Sequence, residues 1–157
     1  MEEQGVLAGL FAGLFALGVF VIFIIFIWGI LSYLLTAFAL YTMAKNEEAD
    51  DAVFAFIPFL NSKVLGDLVR EKLPASLKAD AGWKVFGVYI ACFILSFVPI
   101  IHILASVVMI ALSIYLIYAV LDRYGTNAVL FTILHVITCC IFLPIHLFVI
   151  RKETPRY

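Results

Sequence analysis

Residues 6–44 contain no Asp, Glu, Lys or Arg, and the same holds for 85–121 and 128–150. Each run reaches or exceeds the roughly 18 apolar residues that read as a membrane span. A backbone in hydrocarbon must satisfy its own hydrogen bonds, and runs of this length do so as α-helices. The runs therefore predict an all-α, polytopic transmembrane protein, with residues 1–157 forming one membrane domain in the cell membrane. Composition agrees: 66% of residues are hydrophobic and 13% charged, against roughly 45–50% and 25% in soluble domains.

The first run, 6–44, would be roughly 57 Å long as one helix, too long for one upright span of a ~30 Å core. It lacks a proline or a charge that would hold a loop in water, so one long, tilted or kinked first transmembrane helix is expected. Its acidic leader, Glu2 and Glu3, and its length do not suit a cleaved signal peptide. The second run, 85–121, has Pro99 near its middle. It reads either as a hairpin of two short spans or as one kinked helix. The last run, 128–150, holds one span containing Pro144. About four spans follow, with three as the alternative.

Basic residues orient the chain. Lys45, Lys63, Arg70, Lys72, Lys78 and Lys84 crowd into 45–84, whereas nothing basic precedes the first run, so this segment is expected to be cytoplasmic and the N-terminus outside. Arg151, Lys152 and Arg156 in the tail fall on the cytoplasmic side with three spans and outside with four. Within 45–84, residues 51–73 read as a cytoplasmic or interfacial amphipathic helix. Val53, Ile57, Leu60, Val64 and Leu68 form its apolar stripe, Lys63, Asp67 and Arg70 its opposite face, and Asp50 or Asp51 its N-cap. Pro58 divides it.

An internal echo runs through the chain. Phe56-Ile57-Pro58-Phe59-Leu60-Asn61 and Phe97-Val98-Pro99-Ile100-Ile101-His102 match in character, and Phe142-Leu143-Pro144-Ile145-His146 is a looser third copy. Each proline frees carbonyls near a polar side chain, Asn61, His102 or His146. This is the arrangement of broken transporter segments.

These elements, together with Ala81-Gly82-Trp83 and the Arg123-Tyr124-Gly125 turn, resemble an uncharacterised family of small bacterial multi-pass membrane proteins. That family carries repeated Ile-Pro-x-x-Asn motifs, and some members are associated with signal peptidase I. The similarity covers about residues 50–150. Here His102 stands for the second Asn, and Tyr124-Gly125-Thr126-Asn127 forms the turn. The resemblance implies architecture and bacterial origin rather than an activity.

Gly5, Ala8, Gly9, Ala12, Gly13 and Ala16 fall within an arc of about 140° on a helix. Such a small face, of GxxxG type, lets helix backbones approach. It would pack either on the chain's own later spans or on another helix. His135 and His146, eleven residues apart, share a helical face, and with His102 they are the histidines inside the runs. The carboxylates that usually orient metal-binding histidines are missing from the runs, so neither a metal nor any other cofactor is expected. Cys92, Cys139 and Cys140 sit in apolar sequence without a CxxC pattern and read as small core or lipid-facing residues. A net charge of -1 gives no nucleic-acid footprint. No mid-run charge suits an ion-coupled pump, and no nucleophile–base spacing suggests an enzyme. The sequence thus points to a non-enzymatic accessory or regulatory protein. Its partners would be the lipid bilayer and either a second copy or another membrane protein. The alternative is a small oligomeric channel or carrier.

Overall fold

The computed structural model describes residues 2–157, with side chains at positions 5, 7 and from 9 onward. All regular structure among the described residues is helical. The first helix, α1 (Glu2–Asn46), is continuous, as the uncharged run 6–44 predicts. The chain divides into two compact units, Met1–Leu34 and Leu35–Tyr157.

In the first unit every residue from 9 to 27 is exposed. Phe11 is 71% and Phe15 74% accessible. A helix that is apolar all round belongs in a large core or a membrane.

The second unit has a core. It starts on the last turns of α1, where Leu40, Met43 and Ala44 are buried and Phe38 meets Phe56 edge-on at 5.0 Å. The segment after α1 is not the single amphipathic helix expected over 51–73. It consists of a 3-10 turn, Ala52–Phe56, then α2 (Asn61–Leu68), a second 3-10 turn, Arg70–Lys72, and the short α3 (Ala75–Lys78). The break lies at Pro58. Ile57 before it is extended, as a residue preceding proline prefers, and Phe59 after it is left-handed at φ 67°. Asp51 does not cap with its side chain; it pairs instead with Lys63. Lys63 is itself buried, so it belongs to the inner face and not to the polar one.

Next come α4 (Ala81–Leu95) and α5 (Ile101–Tyr124), packed against each other as a hairpin with Pro99 in the turn. The kinked-helix alternative is excluded. The run 128–150 is corrected more deeply. It is two short helices, α6 (Ala128–Ile137) and α7 (Leu143–Ile150), separated by a turn in which Cys139 (φ 49°) and Cys140 (φ 59°) are left-handed. Pro144 stands in the first turn of α7, where its missing N–H costs nothing. Among the described residues Gly9–Asn46 and Ile101–Tyr124 are long and apolar enough to cross a membrane, with Ala81–Leu95 and Ala128–Ile137 as shorter apolar helices, so the four-span count is not confirmed.

Within the second unit the chain folds so that its charges share one end. The side-chain amide of Asn46 donates to the Arg151 carbonyl at 3.4 Å, and the Arg156 N–H to the Arg123 carbonyl at 3.0 Å. The tail therefore lies beside the 45–84 segment, not opposite it. The turns at 96–100 and 138–142 carry no charge.

Candidate functional site

The charged end is built where α1 stops and α5 stops. Past Asn46 the chain turns through Glu48, at φ 58°, leaving Glu47 facing the last turn of α5. There Arg123, 6% exposed, donates one guanidinium nitrogen to the Leu68 carbonyl and another to Glu47 Oε2 at 2.9 Å. The Tyr124 hydroxyl donates to the other oxygen of Glu47. One carboxylate thus ties α1 to two residues of α5, and Arg123 adds α2. Gly125 follows α5 in extended geometry, at a place where a Cβ would lie 2.8 Å from the Leu121 carbonyl oxygen.

Beside this clasp Asp122 accepts from Lys72 at 2.7 Å and from the Tyr157 hydroxyl at 3.0 Å. The Lys72 ammonium sits 5.1 Å from the centre of the Tyr157 ring. Bonding to Asp122 raises the Lys72 ammonium above its ordinary value. Burial and the Asp122 carboxylate push the Tyr157 hydroxyl up to about 12, so it is a standing donor at neutral pH. The tail is docked by these contacts.

A second node holds α2 on α4. Lys63 reaches Asp51 and Asp67, the latter at 2.8 Å, and lies 5.7 Å from the centre of the Trp83 ring. Asp67 also accepts the Gly82 N–H at 2.8 Å, satisfying a donor of α4's first turn that has no partner inside the helix. Such close helix contact requires glycine twice. A Cβ on Gly66 would come 2.9 Å from Gly82 Cα, and one on Gly82 would strike the Lys63 carbonyl and the Asp67 carboxylate.

No family model, curated protein or solved structure matches the chain. What the arrangement does is therefore read from its own chemistry. The charged end is a clasp: its central cations are each held by carboxylates or carbonyls of neighbouring segments.

The residues singled out in the sequence divide into three groups. Gly5, Gly9, Ala12, Gly13 and Ala16 lie on α1 and are exposed, and a Cβ added at Gly5, Gly9 or Gly13 would meet nothing within 4 Å. The side chain of Ala8 lies outside the described residues. His135 and His146 do meet, His135 Nε2 to His146 Nδ1 at 2.8 Å, but across a break between two helices and not along one helical face. His135 is 2% exposed and its Nδ1 has no hydrogen-bond partner. Phe131 packs edge-on against His146 at 4.6 Å. His102 belongs to the other hairpin, in the first turn of α5.

The third group is the proline echo, and here the expected side-chain contacts give way to backbone ones. The N–H of Asn61 bonds to Ile57 O at 3.2 Å, that of His102 to Val98 O at 2.8 Å and that of His146 to Phe142 O at 3.0 Å. Pro58, Pro99 and Pro144 share one role, since each stands just before or within the first turn of a new helix, and each bond is an early i to i−4 bond of that helix. What the sequence reading missed is the clasp. Its signal was present: Asp122 and Arg123 are the only charges between two long apolar runs, and Lys63 and Asp67 stand four apart, as ion pairs on a helix do.

Proposed function

We propose that the chain is a non-enzymatic integral membrane protein that acts by helix–helix association, with the N-terminal part of α1 docking on the α1 of a second copy. The observation that carries this reading is the contrast along α1: residues 9–27 are all exposed, while its last turns are buried in the core. The apolar exterior suits hydrocarbon, and the gathering of basic residues at one end of the second unit supports a cytoplasmic position for that end. In lipid, helices gain nothing from hydrophobic drive and associate through close packing, for which the face of Gly5, Gly9, Ala12, Gly13 and Ala16 is shaped. An accessory or regulatory role in the membrane follows from such pairing.

Disulfide trapping in vesicles tests this reading. In a chain with Cys92, Cys139 and Cys140 replaced by alanine, a cysteine at Ala12 or Ala16 is expected to crosslink two copies, and one at Phe11 or Phe15 is not. Equal crosslinking at all four positions, or none at any, would refute the docking face.

A further inference from the structure

The turn between α6 and α7 is an unusual place for a chain to reverse. It reads Thr138-Cys139-Cys140-Ile141-Phe142 and carries no charge. Its apolar side chains point outward: Ile137 is 74%, Ile141 50% and Phe142 56% exposed. In water such a turn would be a liability. In hydrocarbon it would fail for a different reason, unsatisfied backbone, unless the turn closed on itself.

It closes on itself at every turn N–H but that of Phe142. The N–H groups of Thr138, Cys139, Cys140, Ile141 and Leu143 donate to the carbonyls of Leu134, Val136, His135, Thr138 and Cys140, at 2.7 to 3.2 Å. The polar side chains follow the same rule. The Thr138 hydroxyl returns to Leu134 O at 2.8 Å, that of Thr132 to Ala128 O at 2.7 Å, and the two histidines bond each other between the arms.

Length then sets depth. With 10 and 8 residues, α6 and α7 extend about 15 and 12 Å, half of a ~30 Å hydrocarbon core. The neighbouring α5 has 24 residues, about 36 Å, enough to cross. Both α6 and α7 have their outer ends at the charged base, since α6 begins three residues after Gly125 and the residue after α7, Arg151, is held by Asn46.

From these observations we infer that α6 and α7 form a re-entrant hairpin. It enters the bilayer from the charged end, turns at 138–142 among the acyl chains near mid-depth, and returns to the same face. Its partner is the hydrocarbon of a single leaflet, in which it displaces lipid that the opposite leaflet keeps. The inference rests on the membrane reading above.

Cys139, exposed at the tip, is a native probe. In a C92A/C140A chain reconstituted into sealed vesicles, Cys139 is expected to resist a membrane-impermeant maleimide from either side. After labelling with a small fluorophore in detergent and reconstitution, it is expected to be quenched most by lipids brominated near the ends of their acyl chains. Maleimide labelling from the face opposite the charged end would mean a full crossing and overturn the inference, and labelling from the charged side would place the hairpin outside the bilayer. Protection from maleimide without quenching by lipid bromine at any depth would mean a protein covers the turn, which also overturns it. A Lys152→Cys control in the same vesicles reports which side is which, and flotation of the chain with the vesicles tests the membrane reading separately. A chain that floats yet labels at Cys139 refutes the hairpin alone; a chain that does not float refutes the membrane reading.

Discussion

Residues 9–27 and the unit Leu35–Tyr157 draw on the same kinds of side chain and use them in opposite ways. In the unit, Leu40, Met43, Leu116 and Leu121 are almost fully buried, and a charged clasp locks the helix ends over them. In the N-terminal stretch, leucines and phenylalanines of equal size face outward all round the helix. The unit carries its own packing partners. On the reading proposed above, the stretch meets lipid on most of its circumference and another helix along the small face.

The sharpest way to break the comparison is to disable the clasp. Arg123→Met leaves Glu47, whose side chain is 20% accessible, without its cation. Loss of one partner of a buried ion pair costs roughly 3–5 kcal/mol. A markedly lower unfolding midpoint in detergent is expected, while α1 crosslinking through Ala12 stays unchanged as long as the chain remains folded. An unaltered midpoint would mean that the clasp is not what holds the unit.

A smaller effect comes from placing the same methyl in both regions. Gly82→Ala must push on the Lys63 carbonyl and the Asp67 carboxylate, and overpacking of this kind costs about 1–3 kcal/mol. Gly13→Ala meets open space, and alanine favours a helix by up to about 1 kcal/mol over glycine. Thermal unfolding of the two variants is therefore expected to shift downward for Gly82→Ala and not downward for Gly13→Ala. Equal shifts would erase the distinction between the regions.

What the sequence made legible follows from which forces are local. The length of α1 and a break at Pro99 were readable because uncharged runs and prolines act within a few residues, whereas the choice of hairpin over kink was not. The break at 138–142 was not, because nothing in Thr-Cys-Cys-Ile-Phe forbids a helix. Two non-glycine residues in left-handed geometry are sustained there by the turn's own hydrogen bonds and the histidine pair. The meeting of His135 with His146 was legible as a pairing but for the wrong reason. The Glu47–Arg123–Tyr124 clasp joins residues 76 and 77 apart in sequence, and no periodicity encodes a contact at that separation. That the tail lies beside Asn46 and Arg123 rests on two hydrogen bonds, from Asn46 and from Arg156, which counting spans cannot supply.

The most direct test of the docking reading is the mass of the purified protein in lipid nanodiscs, wild type beside Gly9→Leu/Gly13→Leu. Leucine at both positions fills the small face and leaves the helix apolar, so the account expects an oligomer for the wild type and a monomer of unchanged helical content for the double variant. The same mass for both proteins, whether monomer or oligomer, would contradict it.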